Sequence, residues 1–412
     1  MDTSSSHNQI EYNSSTDIVF ISLPANPGRN GSDNIVSYNK ISYTPLSTPK
    51  LIGIILRGDR NLIEHNDIGF GAGDCMELGG ANIVVRNNVC HDKNGRADFW
   101  GSNVEHIDFA QAVGGVSPTV SFSLFENNTE KNCTNDQNNC HFIFVRASGG
   151  EIADNIIERY NFISSSDSFT GLGDSTDGNA TVPNPHVYNN TAVLGALSTS
   201  IGDCFTSNAG SGGQNVFLNN ICQDANAGVS ITYFGQGGLG NGNITYDTTC
   251  TTSCTWSAPY TNEATYAALH NKNPLFANYP TDGTLQVGSP AIGAGVALTT
   301  ASGAGTNSTS LTVADAHFFQ PGWGPSDNKV QADWIRIGAS TTAQISSVNY
   351  LTNVITLANP VSWNNNDPVH LYKNSSGDVV LNGANPNIGA SVVSTNVSGA
   401  PTPPTGLLAS VQ

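Results

Sequence analysis

Charged side chains are scarce in this chain, at 11% of residues, and cations are scarcer still: 15 Lys and Arg stand against 32 Asp and Glu. A net charge of −17 repels phosphate backbones and anionic lipid, which argues against nucleic acid as a partner. It also weighs against a strongly polyanionic substrate, although local cations or bound Ca²⁺ can reverse the field within one cleft. No run approaches the roughly 18 apolar residues that span a bilayer, so membrane insertion is not expected. The opening "MDTSSSHNQIEYNSS" lacks the basic and apolar regions of a signal peptide, so an export leader is either removed or lies upstream in a longer parent. Long helices are missing too, because Gly, Asn, Ser and Thr interrupt each apolar run within a few residues. With 412 residues, 38% hydrophobic content and 43 Gly, the chain is thin for several close-packed globules and suits something elongated.

No CxxC motif occurs among the eight cysteines. "CTNDQNNC" (133–140) and "CTTSC" (250–254) close short polar loops, as local disulfides do, whereas zinc sites want tighter clusters with His. Cys75, Cys90, Cys204 and Cys222 are either further bridges or buried thiols. An oxidising, extracellular home follows from the even count and the short loops.

What the chain does have is a phrase that recurs: "NIVSYNKI" from Asn34, "NLIEHNDI" from Asn61, "NIVVRNNV" from Asn82 and "NVFLNNIC" from Asn215. "FSLFENNT", "GEIADNII" and "NPHVYNNT" carry the same apolar positions. The aligned Asn column reads Asn39, Asn66, Asn87, Asn127, Asn155, Asn189 and Asn220, in steps of 21 to 40 residues. A strand of four or five alternating residues cannot bury its apolar face alone. If each phrase is one turn of a coil, successive strands pair in parallel about 4.8 Å apart, apolar residues stack inside, and Asn side chains bond from turn to turn. Extra residues then bulge from a corner without disturbing the stack.

This pattern resembles the right-handed parallel β-helix proteins, the pectate-lyase-like superfamily that includes polysaccharide lyases, polygalacturonases and phage tailspikes. The likeness covers about residues 15–295 and implies an all-β solenoid; it carries fold far better than chemistry. "NPLFANYPTDGTLQVGSPAIGAG" (273–295) resembles the closing coil of secreted bacterial β-helix proteins, with Gly293 where Asp is usual. The expected organisation is a β-helix over 1–298, a small β-barrel or sandwich inserted over 299–373, a return to the last coil or cap over 374–398, and a Pro-rich linker over 399–412. The insertion rests on short alternating strands such as "DWIRIG" and "NVITLA". Its aromatics Phe318, Phe319, Trp323, Trp334 and Trp363 fit core packing better than a sugar-binding face. The tail "PTPPTGLLASVQ" resembles a linker entering a fibronectin type III domain, so a further C-terminal domain is expected.

Against so little charge, "EHIDFAQ" (105–111) stands out, packing Glu105, His106, Asp108 and Gln111 into seven positions. Aligning it with "DCMELGG" and "CHFIFVR" from neighbouring coils turns Met76, Leu78, Ile107, Phe109, Phe142 and Phe144 inward. Glu77, His106, Asp108 and His141 then face out, with Glu77 beside Asp108. Adjacent carboxylates repel, so one holds a proton as an acid while the other stays ionised, and the imidazoles add groups that titrate near neutrality. A carboxyl pair at rung spacing suits glycosidic cleavage with retention. Arg146 lies near the same patch. The loop "CHDKNGRADFWGSN" (90–103) is expected to bring Asp92, Lys93, Arg96, Asp98 and Trp100 out of one corner, giving with Gln111 a set of substrate contacts. Lyase chemistry would instead take a base from Lys93, His106 or Arg96. Asp92, Asn94 and Asp98 share the spacing of a Ca²⁺ loop, though a solvated turn is the plainer reading. No cofactor is required by this reading.

The sequence has no paired Asp-Asp with Gly-His-Gly as in polygalacturonases and no Asp-Pro-His-Asp as in alginate epimerases, so no family assignment transfers to single residues. The expectation is a secreted enzyme cleaving a polysaccharide, glycoside hydrolase ahead of lyase, with Glu77 and Asp108 as acid and base and His106, His141 and Arg146 in support. The rival is a non-catalytic surface protein, an adhesin, glycan-binding module or fibre subunit, which the repeat and the modular tail suit equally.

Overall fold

The computed structural model describes residues 8–11, 14–15, 21–23, 31–42, 52–95, 106–113, 120–134, 140–146, 154–165, 169–176, 185–194, 203–207, 216–224, 239–247 and 263–390. Short apolar strands that cannot stand alone are stacked here into three parallel sheets of nine, nine and seven strands. Successive strands visit the first, second and third sheet in turn, so each circuit is one coil of a parallel β-helix. One circuit runs Leu62–Glu64, Asp67–Gly69, Met76–Gly79, and the next begins at Val84–Arg86, paired in register with Leu62–Glu64. The interior is a continuous stack that includes Val36, Ile63, Val85, Phe125, Val187 and Phe217. Among the described residues no helix is long and apolar enough to cross a membrane.

The corner between the first and second sheets shows why Asn recurs. Eight first-sheet strands are each followed by a left-handed residue, at φ of 55–58° for Tyr38, His65, Asn87, Asn127, Tyr160, Asn189 and Asn219 and 70° for Gly242. The residue after it is a buried Asn, giving Asn39, Asn66, Asn88, Asn128, Asn161, Asn190, Asn220 and Asn243. Within this ladder Asn128 is representative: its Nδ2 donates to Val85 O (2.9 Å) and Asn161 Oδ1 (3.0 Å), and its Oδ1 accepts from the backbone and side chain of Asn88. The predicted column therefore holds at Asn39, Asn66 and Asn220 and slips by one at Asn87, Asn127 and Asn189. In each Asn doublet the first residue takes the left-handed turn, which Asn tolerates, and the second turns inward. Asn155 belongs to neither position; it sits where the chain enters the first sheet, also at positive φ.

Disulfides join Cys75 to Cys90 and Cys133 to Cys140, and Cys222 is bonded as well. Cys250 and Cys254 lie outside the described residues. A six-stranded antiparallel sheet built from strands between Thr299–Thr300 and Pro368–Lys373 lies on the outer face of the first sheet. Phe318, Phe319, Trp323 and Trp363 are buried in that module and its contact with the coil, while Trp334 is partly exposed beneath the Lys373 ammonium. Residues 273–295 add no rung to the coil. Phe276 and Leu285, with Leu269 and Ile388, pack instead on Phe162, Val193, Ile221 and Ile244 at the outer face of the second sheet.

Beneath the module the outward positions of four successive first-sheet strands read Glu64, Arg86, Glu126, Arg159, in register. Arg86 bonds Glu64 (2.8 Å) and Ser375 O (2.8 Å); Arg159 bonds Glu126 (2.6 Å), Tyr188 (2.9 Å) and both oxygens of Asp333 (2.7 and 2.8 Å). Opposite charges one rung apart thus fasten the module to the coil. Each stands two residues before a buried ladder Asn (Asn66, Asn88, Asn128 and Asn161), so the alternation E, R, E, R becomes legible in the sequence once that Asn is aligned.

Candidate functional site

The third sheet places the polar stretch, with a register that differs from the expected one. Met76 pairs with Ala110 and Glu77 with Gln111, so Asp108 lies beside Asp74, whose Oδ1 accepts its backbone N–H at 2.9 Å. Simple alternation fails because Phe109 and Ala110 both face the core, as do Phe142 and Ile143, at a bend in the strand. Everything after the bend moves by one. Glu77 is consequently separated from Asp108 and ion-pairs with Arg57. Phe144, expected inside, is absent from the core cluster and stacks on His106 (4.6 Å) and His141 (5.0 Å).

Asp108 pairs with His141, which the expected alignment set opposite His106. Its carboxylate sits between two imidazoles: His141 Nδ1 is 3.1 Å from Oδ1, and His106 Nδ1 is 3.0 Å from Oδ2, an ion-pair distance without hydrogen-bond alignment. Asp108 is fully buried, whereas the His106 side chain keeps 21% of its surface. Lys93 does not project from its corner. It is buried, and its Nζ donates to Phe70 O at 3.1 Å. Gln111 is buried next to Glu77. Arg146 ends the strand Cys140–Arg146 opposite Val113, and its side chain lies outside the description. Glu105, Arg96, Asp98 and Trp100 also fall outside the described residues.

Two members of the cluster were not anticipated. Asp74 could have been found by aligning the aspartates of "DCM" and "DFA" instead of Glu77 with Asp108. Glu130, in register between interior Cys90 and Ile163, carried no signal, since a carboxyl inside a coil breaks the apolar pattern. Both of its oxygens are buried without a hydrogen-bond partner among the described residues.

The electrostatics follow from burial. Removal from water, then the neighbouring Asp108, pushes Asp74 up to about 8. Burial raises Asp108, opposed by His106, and raises Glu130 well above the carboxylate range, with Asp108 adding to the effect. Lys93 is lowered to about 8 by burial, against the pull of Asp74 and Glu130. Burial and the His106 charge hold His141 down to about 3. Three carboxyls thus share a poorly solvated space with one lysine and two imidazoles, and protons are retained there near neutrality. Donor atoms of Asp74, His106 and Asp108 lie within 4.8 Å of one another, close enough to share a cation. An imidazole in that set suits a borderline transition ion better than Ca²⁺, which collects six to eight oxygens.

No family model matches the chain, and no curated protein matches it. A search of solved structures finds a likeness to pectate lyase Pel9A, 12% identical, covering 71% of this chain and 82% of that one with a TM-score of 0.29. The fold assignment accordingly rests on the strand order and register above.

Proposed function

We propose that the chain is a secreted carbohydrate-active enzyme in which the outer face of the third sheet cleaves a polysaccharide by acid–base chemistry. The observation that carries the reading is Asp108, set between His106 and His141 and beside a second buried carboxyl, Asp74. Asp74, protonated up to about pH 8, supplies the proton for a leaving oxygen. Asp108 engages His106 through Nδ1, so proton exchange with water or substrate falls to Nε2 of the ring with the greater exposure. Hydrolysis is favoured over elimination because a chain with 15 Lys and Arg against 32 Asp and Glu, at a net charge of −17, repels a uronate. Disulfides suit the extracellular setting. The chemistry uses no metal, and Ca²⁺ or another divalent ion entering between Asp74, His106 and Asp108 would compete with the retained proton.

The test is a polymer panel screened for new reducing ends with wild type and Asp108→Asn. Loss of about 10² to 10⁴ in rate is expected, with the fold intact by circular dichroism, and wild-type activity should fall above about pH 8 as Asp74 ionises. Activity unchanged in Asp108→Asn removes this site from the mechanism, and the ultraviolet absorbance of an unsaturated uronate would make the reaction an elimination. Burial of Asp74, Asp108 and His141 favours one second reading, a surface protein that binds glycan and releases no product. Saturable binding with no new reducing ends would select it.

A further inference from the structure

The second sheet is dressed differently along its length. Its first outward position reads Lys40, Asp67, Val89, Thr129 and then Phe162, Thr191, Ile221, Ile244, each in register with the next. The apolar end lies under the segment that carries Leu269, Phe276 and Leu285. At the polar end the sheet opens into a groove of about 530 Å³ that the third-sheet cluster does not share. We propose that this groove is a separate binding site for a neutral oligosaccharide.

One wall is Tyr38 stacked flat on His65, ring centres 4.7 Å apart and planes within 6°, with Tyr38 44% exposed. Both residues occupy the left-handed corner at φ near 55°, where Asn87, Asn127, Asn189 and Asn219 stand in other coils. A bulky side chain there costs backbone energy that Asn avoids, and such strain gathers where a side chain serves a purpose beyond folding. Tyr160, the other aromatic at this corner, is buried against the module, so packing accounts for it. Packing gives no such account of the Tyr38–His65 pair at the rim of an open groove.

The opposite wall is locked in advance. His91 is held at 2.6 Å by Asp67 through Nε2 and at 2.6 Å by Asp92 through Nδ1, and Asn132 donates to Asp92 at 2.9 Å. The His91 ring lies over Gly69, where a Cβ would come within 2.6 Å of it. A sugar ring offers an apolar C–H face and a rim of hydroxyls. The groove offers the complement: a flat aromatic pair facing fixed carboxylate, imidazole and amide edges, arranged before any ligand arrives. Lys131 in the lining and Lys40 beside it, 3.7 Å from Asp67, balance the charges of Asp67 and Asp92, which suits an uncharged glycan.

The test titrates the intact chain with cellohexaose, mannohexaose, xylohexaose and hexagalacturonate by calorimetry. Saturable binding of at least one neutral hexamer is expected. A Tyr38→Asn, His65→Asn double variant, which installs the residue other coils carry, should bind it about tenfold or more weakly while melting at or above the wild-type temperature. The proposal is overturned if no neutral hexamer saturates, if only hexagalacturonate binds, or if the double variant binds undiminished. Because the readout is binding, it stands or falls apart from any cleavage at the third sheet.

Discussion

Two buried clusters of ionisable groups sit on different walls of the same coil, and they are built on opposite principles. Under the antiparallel module, Arg159 meets Glu126, Asp333 and Tyr188 with every contact a directed hydrogen bond, and Asp333 also accepts from Gln320. Around the third-sheet site, Asp74, Asp108 and the second-sheet Glu130 outnumber Lys93, and neither carboxyl oxygen of Glu130 has a hydrogen-bond partner among the described residues. A matched cluster fixes one arrangement of two surfaces. An unmatched one keeps protons that can be moved, which is how acid–base sites are recognised. The contrast separates fastening from the proposed chemistry without appeal to any relative.

The most forceful way to break the comparison is Arg159→Met. It leaves Glu126 and Asp333 buried without their cation and should cost about 3–5 kcal/mol in urea unfolding, with earlier proteolysis of the module. A loss below about 1 kcal/mol would mean that the module is held by apolar packing alone. Next, Asn128→Ala should cost about 2–3 kcal/mol, because it strands partners in two neighbouring coils, whereas exposed Asn127→Ala should cost under about 1. Equal effects would dissolve the distinction between ladder and corner.

Smallest is Glu130→Gln. A carboxyl whose folded pKa lies above its unfolded value near 4.5 gives its full stability below that value and loses it as pH rises. The amide has no charge to desolvate, so the variant should match wild type near pH 4 and exceed it by about 1–2 kcal/mol at pH 8. Parallel melting curves across that range would show that Glu130 is satisfied in solution.

The coil was legible in the sequence because its cause is local and repeated: a few apolar residues, a turn, and an amide. The seven phrases each fall on a strand of the first sheet. What the sequence blurred was the choice within each Asn doublet, since both positions favour Asn for different reasons. The site was half legible. Asp108, His106 and His141 come together as expected, but the partner carboxyl is Asp74, because two consecutive inward residues at the bend defeat a period-two alignment. Lys93 and Glu130 were unreadable as neighbours, since their proximity depends on how far the corner turns inward.

Successive ladder asparagines are 27, 22, 40, 33, 29, 30 and 23 residues apart, yet the bonds between them are nearly identical. Coil length is therefore free to drift while rung geometry is not. A lineage carrying this frame can lengthen or exchange a corner segment without resetting the rest, so new recognition surfaces are open to it at little risk to folding.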